Sequence, residues 1–157
     1  MINVDLDRNE NQSRFFLEVM AAITGKSPNR FLGIGGAVRG GKTFVCLAAW
    51  AIFAARMYPG SRWHIIRKDM PTLQDTTIPS MQKILPDNQI HYKYLKDKSN
   101  YHIRFSNGSK IFFKGENLLR DRELKAFNGL ETNGIFLEQA EELSERLLQK
   151  AIERAGS

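Results

Sequence analysis

Eight consecutive residues, Gly36-Ala37-Val38-Arg39-Gly40-Gly41-Lys42-Thr43, fit the pattern G-x-x-x-x-G-K-[S/T] without a mismatch. Gly36, Gly40 and Gly41 let the backbone curl until successive N–H groups point inward, which makes a concave anion site. A helix that follows such a loop adds the positive end of its dipole. Lys42 supplies a mobile point charge for β- and γ-phosphates, and the Thr43 hydroxyl is a ligand for Mg²⁺. The overlapping Gly33-Ile34-Gly35-Gly36-Ala37-Val38 starts a dinucleotide-type G-x-G-x-x-G, but Val38 stands at the third glycine. Arg67 and Lys68 also end the next strand where that reading needs an acid, so it is rejected.

Three further residues carry chemistry. Ile135-Phe136-Leu137-Glu138 is an apolar run ending in a carboxylate, the form of a Walker B strand. Glu138 would hold Mg²⁺ through water, because Mg²⁺ keeps much of its hydration shell. Arg39 either reaches the γ-phosphate and stabilises the transition state or pairs with a carboxylate and shapes the loop. Gln139 stands where many related ATPases have the glutamate that deprotonates the attacking water. An amide orients water but takes no proton, and general-base help is worth roughly 10²–10⁴ in rate. Three readings stand open: Gln139 positions water; Glu141 or Glu142 serves instead; or the glutamine is itself a substitution that traps bound nucleotide. The first is preferred.

The elements that must position these groups follow from periodicity. Asp7 to Thr24 reads as a helix with Phe15, Phe16, Val19, Met20 and Ile23 on one face, stopped by Gly25 and Pro28. Arg30 to Ile34 is a short apolar run expected to be a buried strand. Lys42 to Tyr58 is a helix apolar nearly all round, hence buried, and Pro59-Gly60 ends it. Arg62 to Ile66 is a second buried strand. From Gln89 to Lys114 the period becomes two, with Asn107-Gly108 marking a tight hairpin. This predicts an antiparallel meander over about 89–114, inserted into an alternating strand–helix order. Gly134 to Leu137 is a third buried strand, and Ser144 caps a last helix with Leu147, Leu148, Ala151 and Ile152 on one face.

Composition sets the frame. The 157 residues are 42% hydrophobic and 25% charged, with ten Phe, four Tyr and two Trp, which excludes a disordered chain. The longest apolar stretch, Phe44 to Ala55, is shorter than the roughly 17–25 residues a membrane span needs. The opening residues have no basic or apolar signal region, and the lone Cys46 fits a reducing cytosol. Residues 1–130 carry a net charge of +9 and residues 131–157 a net −3. A basic body suits an anionic partner such as a nucleotide or nucleic acid, or is ordinary solubilising charge. His64, His91 and His102 lack ligand-like spacing and read as strand residues.

With both motifs in place, the chain from about Asn11 to Leu148 resembles the N-terminal ATPase part of the large terminase subunit of tailed bacteriophages. Gly35 to Thr43 is similar to the family's arginine-bearing Walker A, Ile66 to Asp75 to its Arg-Lys stretch followed by Thr and Leu, Phe105 to Gly115 to its Asn-Gly-Ser hairpin, and Phe136 to Leu143 to its acid-acid-Ala Walker B. Asn11-Gln12 before an aromatic helix is similar to its adenine-contacting glutamine region, so the resemblance implies Gln12 as a nucleotide contact. It implies an α/β P-loop NTPase of the ASCE (RecA-like) type, a three-layer sandwich with a mostly parallel sheet. It implies ATP and Mg²⁺ as cofactors, with Lys42, Arg39, Glu138 and Gln139 catalytic and Thr43 and Glu138 on the metal. The implied partners are double-stranded DNA, a portal protein and a small terminase subunit. The implied setting is a pentameric ring in the host cytoplasm at the procapsid portal, with no membrane.

Two departures temper it. Gln139 replaces the family's usual catalytic carboxylate, and the chain stops one helix after Glu138. The expectation is therefore one C-terminally incomplete domain over 1–157, with an exposed sheet edge or face. The rival readings are a MgATP-binding fragment without turnover and another P-loop ATPase such as a helicase-like protein. Lys93, Lys96, Lys98, Arg104, Lys110 and Lys114 of the meander either contact a DNA backbone or are the solvated face of a sheet.

Overall fold

The computed structural model of the protein describes residues 10–35, 42–97, 100–116 and 124–155. Within them the chain is an α/β fold around a five-stranded mixed sheet. The helix α1 (Glu10–Ile23) leads by Gly25, whose φ of +73° closes its C-terminus, towards α2 (Lys42–Ile52), which runs on through a π-helical turn, Phe53–Met57. The strand β1 (Arg62–Arg67) follows. Then come α3 (Met70–Thr72), a second π turn (Leu73–Thr77), α4 (Ile78–Asp87), β2 (Lys93–Asp97), β3 (Asn100–Arg104), β4 (Lys110–Gly115), β5 (Gly134–Leu137) and α5 (Glu145–Ala155).

The strand order is β2-β3-β4-β1-β5. The meander is confirmed as β2-β3-β4, antiparallel throughout, with Gly108 at φ +84° in the β3–β4 turn. It is no insertion outside the main sheet, because β4 also pairs in parallel with β1, Ile65 opposite Phe113. With β1–β5 the second parallel pair, the sheet is evenly mixed and not mostly parallel as expected. The expected strand over residues 30–34 does not form: the segment pairs with no strand among the described residues, and Phe31 is 58% exposed. Gly33 and Gly35 weaken strand pairing there, having no side chain to pack and more backbone freedom to lose. Only Leu32 folds against the core.

Residues 70–87, which periodicity left unassigned, are helical. Asp69 caps the start by accepting from the Thr72 N–H at 2.7 Å, and Pro71 sits in the first turn, where its missing N–H is harmless. Pro79 lacks the N–H that would bond back one turn, and the chain widens into the π turn just before it.

Odd-numbered β1 residues pack on one face. Trp63 and Ile65 join Leu47, Phe53, Leu73, Met81, Leu85, Ile103, Ile111 and Phe113 beneath α1, α2 and α4. Trp63 lies 5.2 Å from Phe53 and 5.4 Å from Trp50, ring centre to ring centre. Gly134 is required beneath it, since a Cβ there would come within 2.7 Å of the Trp63 ring. The other face buries Ile66 with Leu124, Phe127, Leu143 and Leu147 under α5. Ser144 caps α5 as expected, accepting from the Leu147 N–H at 3.2 Å.

His64 and His102 are strand residues, while His91 lies just before β2. His64 stacks on Phe112 at 5.0 Å and meets the Thr132 hydroxyl at 2.9 Å. Burial, aided by Lys114 and Arg62, pushes its imidazolium down from 6.5 to about 3. The unfolded chain therefore takes up a proton that the folded chain refuses, so stability is complete above about pH 6.5 and declines as pH falls towards 3. In urea titrations at pH 7 and pH 5, His64→Gln should lose less stability on acidification than the wild type. Equal losses would show that His64 does not set the acid limb.

Candidate nucleotide site at the ends of the parallel strands

The site is built where β1 and β5 end side by side. The Glu138 N–H bonds to the Ile66 carbonyl at 2.9 Å, extending the β1–β5 ladder by one residue and aiming the carboxylate at the start of α2. That carboxylate is 5% exposed. A buried carboxylate needs donors to offset its lost hydration, and three elements supply them. From α2, the Thr43 hydroxyl donates to Oε1 at 3.1 Å. From the end of the π turn, the Thr77 hydroxyl donates to Oε2 at 2.5 Å. From the end of β1, Arg67 Nη1 lies 3.5 Å from Oε1.

Arg67 ties the next residue in as well. Its Nη2 donates to Gln139 Oε1, and its Nη1 donates to the Thr76 hydroxyl at 3.0 Å. Gln139 holds a left-handed backbone, φ +50° and ψ +60°, which is uncommon for a residue with a side chain and marks a position held by its surroundings. The following turn, Ala140–Glu142, carries Glu141 and Glu142 out to solvent. The loop is anchored beyond them by Glu116, which accepts from the Ser144 N–H at 3.1 Å and from its hydroxyl.

The structure thus brings Thr43, Glu138 and Gln139 together and adds Arg67 and Thr77. Lys42 is the first residue of α2, directly before Thr43. Gln12 sits in the first turn of α1, a helix that packs against α2. Gly36, Ala37, Val38, Arg39, Gly40 and Gly41 lie outside the described residues. Thr77 carries no motif or periodic signal of its own, although Asp69 and Pro71 spell the start of its helical segment. A cleft of about 460 Å³ opens beside Thr43 and is lined by Phe44, Ser80, Lys83, Ile84, Asp87 and Asn88.

The donor set suits a hard cation. The Thr43 hydroxyl and the Glu138 carboxylate are oxygen groups within 3.1 Å of one another. Mg²⁺ is held by one or two carboxylates together with substrate phosphates and water.

A model of the phage terminase large subunit family matches residues 30–155. No curated protein sequence matches the chain. The chain is similar in structure to the large terminase of a thermophilic bacteriophage, with a TM-score of 0.70 and 18% identity over 90% of this chain and 36% of that one. Against the same phage protein in complex with ATP-γ-S the TM-score is 0.65 at 17% identity, over 92% of this chain and 35% of that one. Against its complex with ADP the TM-score is 0.62 at 18% identity, over 78% and 29%. The chain spans about a third of that large terminase's length.

The Glu138 anchor predicts a stability effect. Thr77→Val keeps the volume but strips a buried carboxylate oxygen of its donor, at about 1–3 kcal/mol. At roughly 2–4 °C per kcal/mol for a chain of this size, the midpoint of thermal unfolding should drop by several degrees, and Thr77→Ser should restore most of it. A Thr77→Val protein melting with the wild type would remove the hydrogen bond from the account.

Proposed function

Because the chain belongs to the phage terminase large subunit family, we propose that it is the ATP-binding and ATP-hydrolysing module of a motor that drives double-stranded DNA into a procapsid. The observation that carries this reading is the 3.1 Å contact between Thr43 and Glu138. It couples the end of the phosphate-loop sequence to the acid at the end of β5. The module is one P-loop domain over 1–157, and the nucleotide-bound large terminase of the thermophilic phage supports ATP as its ligand.

Each residue then has a task. Gly36, Ala37, Val38, Arg39, Gly40 and Gly41 turn backbone N–H groups onto the β- and γ-phosphates, and Lys42 adds its ammonium. Arg39 stabilises the charge that develops on the γ-phosphate. Gln12 contacts the adenine. Thr43 and Glu138 hold Mg²⁺, which when bound draws charge from the phosphate oxygens. Thr77 and Arg67 fix the direction of the Glu138 carboxylate. Gln139 orients the attacking water through its amide. The portal protein, the small terminase subunit and the pentameric ring belong to the assembled motor, at the procapsid portal in the host cytoplasm.

One contact favours a second reading, a MgATP-binding module without turnover. The Gln139 amide oxygen accepts from Arg67, so in this arrangement one of its two acceptor sites is already taken by the protein.

A single-turnover assay separates the readings. Wild type and Gln139→Glu should both bind ATP, with Lys42→Ala at least tenfold weaker. Turnover by the wild type supports the motor module, with Gln139→Glu faster by up to roughly 10²-fold, the lower end of general-base help. Turnover by Gln139→Glu alone would establish the inert module. Failure of all three to bind ATP would overturn the nucleotide reading.

A further inference from the structure

We propose that Lys93, Arg104, Lys110 and Arg62 form a grip for the sugar–phosphate backbone of double-stranded DNA, on the α5 face of the sheet and at the end remote from Glu138. The choice of DNA as occupant rests on reading the chain as part of a packaging motor; the surface itself is read from register.

Lys93 pairs with Arg104, Arg104 with Lys110, and Lys110 with Arg62. Residues directly opposite in a ladder point to one face, so one cation from each of four adjacent strands stands in a single row. Three strand spacings of about 4.8 Å make the row about 14 Å long. Like charges directly opposite are destabilising, and among the described residues little offsets them. Arg62 meets Glu131 at 3.2 Å, but that carboxylate is 79% exposed, where such pairs contribute little. Among the described residues no carboxylate lies within ion-pair distance of Lys93, Arg104 or Lys110. A polyanion laid along the row would relieve the repulsion.

The neighbouring row makes a floor of aliphatic and ring side chains. Leu95, His102, Phe112 and His64 lie side by side; His64 stacks on Phe112 at 5.0 Å, and His102 sits tilted against it at 5.2 Å. His64 is held neutral there, in part by Arg62. Phosphates fit such a strip better than an acidic protein does. Protein interfaces rest on apolar anchors seated in pockets, and the exposed large apolar side chains, Leu17, Phe31, Phe44 and Ile152, all lie off this row. Arg62 opens β1 and Arg67 closes it, so five residues at about 3.3 Å put the row some 16 Å from the Glu138 cluster. The two sites can therefore be altered separately.

The test is fluorescence anisotropy of the full chain on a 30-base-pair duplex of arbitrary sequence, between 50 and 200 mM NaCl. The triple variant Lys93→Ala, Arg104→Ala, Lys110→Ala is set against the charge-matched Arg14→Ala, Lys26→Ala, Arg56→Ala on the opposite helical layer. Each backbone contact contributes about 0.9 to the slope of log K against log salt. The row variant should lose about 2–3 from that slope and bind at least tenfold more weakly at 50 mM, with the control within twofold of wild type. It should also melt no lower than wild type, since repulsion is removed. Arg104→Gln, Lys110→Gln, which preserves side-chain bulk, should lose nearly two. Equal weakening of row and control variants would overturn the proposal, as would duplex binding unchanged by the row variant or absent from the wild type. Loss of binding to polyglutamate but not to duplex would assign the row to an acidic protein instead. ATP binding measured alongside should match wild type in every variant. Its failure with DNA binding intact would sink the nucleotide module and leave this surface standing.

Discussion

A carboxylate buried at the end of β5 is the constraint around which the site is organised. An ionised group removed from water is destabilising by several kcal/mol unless paired and hydrogen-bonded. Glu138 meets that requirement with a hydroxyl from α2, a hydroxyl from the π turn and a guanidinium from β1. Those partners are far apart in sequence, 95 residues in the case of Thr43. Satisfying one charge therefore fixes the relative positions of three elements. The same contacts place the end of the phosphate-loop sequence against the strand-end acid.

The rest of the fold can be seen as support for that junction. Parallel pairing of β1 with β5 puts Arg67 and Glu138 at the same end of the sheet. Gly134 lets β5 lie close beneath the Trp63 ring, so the strand sits at the depth where the residue after it, Glu138, meets Thr43. Pro79 and the π turn before it set the rotation of the 70–87 segment, and Thr77 ends that turn. On the far side, Glu116 reaches from the end of β4 to Ser144 and ties the loop carrying Gln139 to the start of α5.

Much of this was legible in the sequence because it rests on local pattern. The period of two with Asn107-Gly108 marked the meander, the apolar run 44–55 marked a buried helix, and Ile135-Phe136-Leu137 ending in Glu138 marked a strand with an acid at its tip, although β5 is half-buried at the sheet edge and not buried as expected. What was not legible depends on pairing across the chain. The run 30–34 is apolar enough for a strand, yet Gly33 within it and Gly35 just after it give it little to hold it in a ladder. That β4 would join β1 in parallel, merging meander and main sheet, is a matter of register between strands 48 residues apart. Arg67 and Thr77 carried no periodic signal, and three prolines disguised a helix whose cap at Asp69 was plain. Their importance comes from what they touch.

The central claim is that Thr43 and Glu138 act as one magnesium-holding unit, and a double-mutant cycle on metal-dependent nucleotide affinity tests it most directly. Calorimetric titration of ADP with and without Mg²⁺ is made on wild type, Thr43→Val, Glu138→Gln and the pair. The account predicts that Mg²⁺ tightens binding to the wild type, that either single change removes most of this gain, and that the pair removes no more than one alone. A Mg²⁺-dependent gain that survives in Glu138→Gln, or losses that simply add in the pair, would contradict it.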